Sequence, residues 1–217
     1  MTGGIQVKVC GLTSVEDAAY ADACGVEYLG FNLYPKSPRY LPIAKYRSMA
    51  PRLPERHRVA VTVEPNRAAL LEMREAGFNH FQVHFRHDLP LASIEGWTHV
   101  VGAEALWLAP KLPPDADVPA SWLGLSRGIL LDTFDPSLFG GTGRTGDWAK
   151  FKRHRQRQPG KTWILSGGLS PENVGEALAM TGARFIDVNS GVESAPGVKD
   201  HAKIKAFVAA VHKAAGR

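Results

Sequence analysis

The sequence predicts an α/β protein, a single-domain (β/α)8 barrel of the TIM type that spans residues 1–217. Three observations support this fold. Short β-branched segments alternate with longer amphipathic ones, as in repeated βα units. Glycine-rich turns follow the sixth, seventh and eighth strand candidates, and barrels commonly bind phosphate with the loops after the last two strands. No G-x-G-x-x-G follows the first strand candidate, which argues against an open dinucleotide-binding sheet.

Eight segments are strand candidates. Several are apolar through most of their length, as expected for strands that are covered by helices on one face and by a barrel core on the other. They comprise residues 5–10, 27–33, 58–63, 80–85, 98–103, 128–133, 162–167 and 184–189.

Amphipathic segments between these strands predict helices over residues 14–24, 43–50, 67–76, 147–157, 171–181 and 200–215. Two further helices are predicted to be shortened or irregular. The fourth helix, near residues 89–96, has little sequence in which to form. The fifth falls in residues 109–126, which are rich in proline and aspartate, so a short irregular connection is expected there.

The composition is that of an ordinary soluble globular protein, with 44% hydrophobic and 22% charged residues. No apolar run approaches the roughly 18 residues that a membrane span needs. The N-terminus enters a strand candidate and does not resemble a signal segment. A cytoplasmic location is therefore expected, with no membrane contact. Cys10 and Cys24 are expected to be free thiols, because a lone disulfide is unusual in such a protein.

The net charge of +5 does not predict nucleic-acid binding, because the basic residues form only one dense run, over residues 150–161. We interpret this run as a solvated helix face. A modest positive charge also suits an enzyme with an anionic small-molecule substrate. His80, His84 and His87 lack the companion ligands of a zinc site, so no metal is predicted.

Two polar residues end apolar strand candidates and are the predicted catalytic pair. In a (β/α)8 barrel the active site lies at the carboxyl ends of the strands. Cys10 ends the first candidate and Asp132 interrupts the apolar run of the sixth. Taken singly, Cys10 could be a small buried hydrophobe and Asp132 a cap of the next turn. On one rim, the two could serve as base and acid over a shared substrate.

Glycine-bearing loops over residues 139–148, 166–173 and 189–197 predict a phosphate site, because glycine lets backbone N–H groups approach an anion. Arg39, on a loop stiffened by two prolines, could hold a carboxylate, although a solvent-exposed loop with incidental charge is the alternative. His84 and Asp187, near the ends of the fourth and eighth strand candidates, could line the same pocket. The predicted substrate-binding residues are Arg39, His84, Gly141, Gly143, Gly167, Gly168, Asp187, Ser190 and Gly191.

Six blocks of this sequence resemble the signature blocks of the phosphoribosylanthranilate isomerase family, and they occur in the family's order. They are KVCGLT, GFNLYPKSPRYL, ILLDT, GGTGRTGDW, LSGGLSPENV and IDVNSGVESAPGVKDHAKI. The resemblance implies an Amadori rearrangement of N-(5-phosphoribosyl)anthranilate to the 1-amino-1-deoxyribulose phosphate in tryptophan biosynthesis. It implies no cofactor, and the sequence leaves open whether the protein is a monomer or a homodimer.

The resemblance also implies a role for individual residues. Asp132 would be the general acid that protonates the ribose ring oxygen, and Cys10 would be the general base that removes the C2 proton. Arg39 would hold the anthranilate carboxylate. The backbone of four residues would hold the phosphate, namely Gly167, Gly168, Ser190 and Gly191.

The sequence departs from the family pattern on its middle strands. Strand four reads QVHF where the family has QLHG, so Phe85 replaces a glycine, and the fifth-strand region lacks a customary lysine. These departures leave a related phosphosugar isomerase of different specificity as an alternative. A non-catalytic barrel that binds a phosphorylated metabolite is another, but such a protein would need neither Cys10 nor Asp132.

Overall fold

Eight parallel strands close into one barrel in the computed structural model, which describes residues 4–132 and 147–216. The strands pair in chain order, and the first pairs with the eighth to close the sheet. They are β1 (Gln6–Val9), β2 (Tyr28–Asn32), β3 (His57–Val63), β4 (His80–Arg86), β5 (Leu106–Lys111), β6 (Gly128–Leu131), β7 (Thr162–Leu165) and β8 (Phe185–Val188). The predicted barrel is confirmed.

A helix follows each strand along the chain. The α-helices of the described ranges are α1 (Val15–Ala23), α2 (Ile43–Met49), α3 (Arg67–Glu75), α4 (Leu91–Val101), α5 (Ala120–Leu123), α6 (Trp148–Arg157), α7 (Val174–Thr181) and α8 (His201–Ala215). A 3-10 turn, Ala50–Arg52, extends α2. Between β8 and α8 lie a second 3-10 turn, Ser190–Val192, and a hairpin of β9 (Glu193–Ala195) and β10 (Val198–Lys199). None of the described helices is both long and apolar enough to cross a bilayer.

Polar side chains fix where several helices begin. The oxygen atoms of Ser14, Asn66, Asp147 and Asp200 each accept a hydrogen bond from a backbone N–H in the first turn of α1, α3, α6 and α8. Such caps satisfy donors that would otherwise have no partner at the start of a helix. The predicted start of the seventh helix at residue 171 is three residues early, because α7 begins at Val174.

The predicted fifth strand is wrong, and so is the predicted short fourth helix. Residues 98–101 form the end of α4, which is 11 residues long, and the fifth strand is Leu106–Lys111. The error has a physical cause, because a short segment with β-branched residues such as Val100 and Val101 cannot be assigned to helix or strand by periodicity alone. Gly102, with φ of +82°, ends the helix. The fifth helix, of four residues, is short as predicted.

Alternate residues of each strand point into the barrel or outwards to the helices. The interior near the amino ends of the strands is filled by aromatic rings, including Tyr28, Trp107 and Phe185, whose centroids lie 4.7–5.3 Å apart. Outward-facing residues such as Phe31 and Phe81 belong to a separate, larger core beneath the helices. The rings fill this end of the barrel, whereas a cavity opens at the carboxyl ends of the strands.

Candidate active site

A cavity of about 290 Å³ opens at the carboxyl ends of the strands. Its wall contains most of the residues that the sequence predicts for the site, and they come from six different strands or the loops after them. These residues are Cys10, Arg39, His84, Asp132, Gly167, Gly168, Asp187 and Ser190. Gly191 follows directly on Ser190. The predicted residues Gly141 and Gly143 lie outside the described part of the chain.

The predicted acid and base line this same cavity. Cys10 directly follows β1 and Asp132 directly follows β6, three strands away around the barrel. The backbone N–H of Cys10 donates to the Val188 carbonyl over 2.8 Å, which fixes the start of this loop against β8. Cys10 is buried and Asp132 is partly exposed. A thiol and a carboxyl group can therefore reach one small molecule from two sides.

The charge state of Cys10 depends on two opposing influences. Burial raises the pKa of the Cys10 thiol, since a thiolate is poorly solvated inside a protein. The charge of the nearby Lys8 ammonium lowers the pKa again. The net effect is a raised pKa, so the chemistry of this thiol depends on how well Lys8 is placed.

The loops after β7 and β8 form a wall of backbone on one side of the cavity. Gly167 and Gly168 have φ values of +92° and +61°, in the left-handed region that glycine adopts without strain. Asn173 fixes their loop, because its side chain donates to the Gly168 carbonyl and accepts from the Ser170 N–H, each over 2.8 Å. These contacts hold the loop's backbone in one shape beside the cavity.

Gly191 allows the two loops to touch. A Cβ atom at this position would lie 1.9 Å from the Leu169 carbonyl oxygen, which is far inside van der Waals contact. The 3-10 turn that contains Gly191 can therefore pack against the loop after β7 only because the side chain is absent.

Arg39 reaches the cavity from the loop after β2, and Glu193 holds it there. The Arg39 Nε atom donates to both carboxylate oxygens of Glu193 over 2.9 and 3.1 Å, and Nη2 donates over 2.7 Å. Lys199 also donates to Glu193, over 3.0 Å, and all three side chains are buried. Although burial opposes ionisation, the hydrogen bonds from Arg39 and the charge of Lys199 hold the pKa of Glu193 below its ordinary value. Arg39 is therefore a fixed cation whose Nε edge is already occupied.

His84 is a neutral group in the cavity wall. Burial, assisted by the positive charge of Lys8, lowers its pKa to about 3. The Gln82 amide nitrogen lies 2.8 Å from His84 Nε2. An amide nitrogen can only donate, so Nε2 accepts and the imidazole carries its proton on Nδ1. His84 can therefore offer a neutral N–H donor but no charge.

Sequence reasoning missed Lys8, Glu193 and Lys199, which hold predicted site residues in place. Lys8 binds Asp187 over 2.8 Å inside the barrel, so the Asp187 carboxylate on the cavity wall already has a cationic partner. The alternation of side chains along β1 could have revealed Lys8. It lies two residues before Cys10 and therefore on the same face of the strand. Glu193 and Lys199 flank a turn, where charges look like ordinary surface residues.

A family model for N-(5'-phosphoribosyl)anthranilate (PRA) isomerase matches residues 7–210. The chain belongs to the PRA isomerase family. A relative from Syntrophus aciditrophicus, named N-(5'-phosphoribosyl)anthranilate isomerase, is 38% identical over 213 residues, which cover 97% of this chain and 89% of the relative.

Solved PRA isomerase structures have the same fold. The enzyme from Thermus thermophilus superposes with a TM-score of 0.80 at 31% identity, over 96% of this chain and 99% of that one. A second PRA isomerase structure contains reduced 1-(o-carboxyphenylamino)-1-deoxyribulose 5-phosphate. It superposes with a TM-score of 0.74 at 31% identity, over 94% of this chain and 96% of that one.

Phe85 stands where the family pattern has a glycine. It does not line the cavity. Its side chain is fully buried beneath the helices, with its ring in edge-on contact with Trp97 of α4 and Trp122 of α5, at centroid distances of 5.4 and 5.2 Å. The departure therefore changes the packing of two helices on the barrel. It gives no support to the alternative of a different substrate.

Within the described ranges, no group of three or more histidine, cysteine, aspartate or glutamate side chains is placed to hold a metal ion. His80 and His84, on the same strand, are separated along the barrel axis. His80 stacks on Trp107 near the amino ends of the strands, whereas His84 lines the cavity at the other end.

Proposed function

We propose that the protein catalyses the Amadori rearrangement of N-(5-phosphoribosyl)anthranilate to 1-(o-carboxyphenylamino)-1-deoxyribulose 5-phosphate, a step of tryptophan biosynthesis. The observation that carries this proposal is the shared cavity, which places Cys10, Asp132 and the glycine loops around one space. Membership of the PRA isomerase family supports the same reaction. No described residue of the cavity calls for a cofactor, and the proposed chemistry needs only proton transfers.

The phosphate of the substrate is proposed to bind the backbone of the two loops after β7 and β8. Gly167, Gly168, Ser190 and Gly191 supply N–H groups in a fixed arrangement, which suits an anion because no reorganisation is needed when it binds. This contact would anchor one end of the sugar and direct its first two carbon atoms towards the catalytic pair.

The anthranilate carboxylate is proposed to bind Arg39. Glu193 occupies the Nε edge of the guanidinium, and Nη1 makes no hydrogen bond to the described residues. Arginine can bind two carboxylates at once through different edges of its planar fork. With Glu193 fixed in turn by Lys199, the cation presents one defined edge to the substrate.

Asp132 is proposed to act first, as a general acid. In its protonated form it would donate a proton to the ring oxygen of the ribose, so that the bond from C1 to this oxygen breaks and the nitrogen lone pair forms a protonated Schiff base. Cys10, as a thiolate, would then remove the C2 proton. The electron pair of that C–H bond moves between C1 and C2, neutralises the iminium nitrogen and gives an enolamine, which becomes the ketone.

His84 and Asp187 are proposed to have supporting roles. His84, neutral and oriented by Gln82, can donate a hydrogen bond from Nδ1 to the substrate. Asp187 lies at the cavity wall, where Lys8 neutralises it. Monomer and homodimer both stay predictions from the sequence. The cytoplasmic location stays a prediction from the sequence.

The activity of purified protein on N-(5-phosphoribosyl)anthranilate tests this function. We expect conversion by the wild type and a loss of about 100-fold to 10,000-fold in kcat for Cys10→Ala and for Asp132→Asn. Cys24→Ala is the matched control, since Cys24 lies outside the cavity and its loss should leave kcat unchanged. Full activity of either catalytic-site variant would overturn the roles of Cys10 as base and Asp132 as acid, and no conversion by the folded wild type would overturn the function.

A further inference from the structure

An ion pair lies inside the barrel below the candidate active site. Lys8 of β1 is completely buried, and its Nζ atom lies 2.8 Å from Oδ1 of Asp187, its register partner on β8. A buried ion pair is weak evidence for stability, because removing both charges from water costs about as much as their attraction returns. Barrel interiors are usually filled by branched apolar side chains. The pair therefore calls for a functional explanation.

Gly30 of β2 provides the space in which Lys8 extends towards Cys10. A Cβ atom at Gly30 would lie 2.8 Å from Cε and 3.1 Å from Nζ of Lys8, and 3.1 Å from the Cα atom of Cys10. The lysine ammonium and the cysteine backbone thus approach the same point on β2. A larger residue at Gly30 would displace the Lys8 side chain from its place beside Cys10.

The charge of Lys8 is permanent in this environment. Burial alone would lower its pKa, but the Asp187 carboxylate and Cys10 raise the pKa above its ordinary value. The ammonium donates one of its three protons to Asp187, and Lys8 lies on the same face of β1 as Cys10. Asp187 itself disfavours a thiolate at Cys10, so the benefit of the pair to Cys10 comes through Lys8.

We propose that Lys8 is a positioning residue for the reaction: its ammonium, held beside Cys10 by Asp187, stabilises the thiolate that accepts the C2 proton. This inference rests on the proposed function. Lys8 keeps all three of its protons throughout, while the substrate C–H bond breaks and the S–H bond forms on Cys10. The group acts through Cys10 and does not touch the substrate.

The pH dependence of Cys10 alkylation by iodoacetamide tests this role, together with the thiolate absorbance near 240 nm. Both are measured in a Cys24→Ala background, so that only one thiol reports. In Lys8→Met we expect alkylation at pH 7 to be about tenfold slower, since a close opposite charge typically shifts a pKa by one unit or more. Lys45→Met, which removes an exposed lysine charge on α2, is the control and should leave the rate unchanged.

Steady-state kinetics separate this role from a merely structural one. We expect kcat/KM of Lys8→Met to fall about tenfold at pH 7 and to recover as the pH rises, with KM unchanged, because only the thiolate population differs. A uniform loss of kcat/KM at every pH, or an unchanged alkylation profile in the folded variant, would overturn the proposal.

A second variant covers the case in which Lys8→Met fails to fold, since that change leaves Asp187 buried without its partner. Lys8→Met/Asp187→Asn removes both charges and keeps similar side-chain shapes. The double variant also lacks the ammonium beside Cys10, so alkylation of Cys10 should again slow at pH 7. An alkylation profile equal to that of the wild type would contradict the inference. The thiol measurements need no substrate, so their outcome is independent of whether the wild type converts N-(5-phosphoribosyl)anthranilate.

Discussion

Arg39 and Glu193 form a buried, bidentate ion pair that joins the loop after β2 to the hairpin after β8. The two residues are 154 positions apart in the chain, and Arg39 also lines the cavity. The pair fixes the direction of the Arg39 guanidinium before any substrate arrives. Binding then requires little further ordering of this side chain, which lowers its entropic cost.

The first prediction concerns this ion pair. Glu193→Gln should raise KM for N-(5-phosphoribosyl)anthranilate about tenfold with a smaller change in kcat, because Arg39 loses its fixed direction but remains charged. The free energy of unfolding should also fall by about 3 kcal/mol, since one partner of a buried ion pair is removed. Steady-state kinetics and urea unfolding measure the two effects.

The control for this variant is Glu72→Gln, which breaks the exposed ion pair with Arg47. Exposed pairs contribute about 0–1 kcal/mol, so this variant should behave as the wild type. An unchanged KM for folded Glu193→Gln would contradict the role proposed for Glu193.

The second prediction concerns the contact between the two loops that we propose bind the phosphate. Gly191→Ala places a methyl group where the Leu169 carbonyl oxygen lies, so the loops must separate. We expect KM to rise at least tenfold, which corresponds to a loss of about 1.4 kcal/mol in binding free energy. Inhibition by inorganic phosphate should weaken in parallel. Titration of activity with phosphate measures both.

Gly175→Ala is the matched glycine control. Gly175 lies in α7, and a Cβ atom there would have no atom within 4 Å. Alanine favours a helix by about 0.8–1.0 kcal/mol over glycine, so this variant should be slightly more stable and equally active. If Gly191→Ala bound phosphate as well as this control does, the two loops would not form the proposed site.

A third prediction follows from the position of Phe85. Phe85→Ala should lower the free energy of unfolding by about 3–5 kcal/mol, because it leaves a cavity between β4 and the two tryptophans. KM should stay as in the wild type at temperatures where the variant is folded. Thermal unfolding and kinetics test this, with Phe85→Leu as a milder change. A selective rise in KM without loss of stability would mean that Phe85 shapes the substrate pocket after all.

The fourth prediction concerns pH and His80, near the closed end of the barrel. Burial, together with the charges of His57 and Arg127, lowers the pKa of His80 to about 4. The unfolded chain takes up a proton below about pH 6.5 and the folded chain does not. Neutral His80 therefore contributes to the free energy of unfolding above pH 6.5, and this contribution is lost as the pH falls towards 4.

Urea unfolding at pH 7 and pH 5 measures this effect in the wild type and in His80→Phe, whose ring can keep the stack on Trp107. From pH 7 to pH 5 the free energy of unfolding should fall by about 1 kcal/mol more in the wild type than in the variant. Equal losses would show that His80 has an ordinary pKa in the folded protein.

The barrel and most of the candidate site could be predicted from the sequence, because both depend on local patterns. Apolar strands that end in Cys10 and Asp132 mark the catalytic rim of a barrel, and glycine-rich turns mark the backbone wall. The fifth strand could not be predicted, since the β-branched residues Thr98, Val100 and Val101 suggest a strand although they end a helix.

Contacts between distant strands also could not be predicted. Lys8 meets Asp187 only because β1 and β8 pair to close the barrel, and Glu193 meets Arg39 only because two loops converge. Each of these charged residues looks ordinary in its local sequence. Their importance arises from tertiary neighbours, which no local pattern specifies.

The most direct test is a crystal structure of this protein with reduced 1-(o-carboxyphenylamino)-1-deoxyribulose 5-phosphate. We predict the phosphate on the backbone of Gly167, Gly168 and Ser190 and the carboxylate on Arg39. The sugar C2 atom should then lie about 3–4 Å from the Cys10 sulfur, with Asp132 on the other side of the chain of carbon atoms. An analogue bound with its sugar out of reach of either Cys10 or Asp132 would contradict the proposed mechanism.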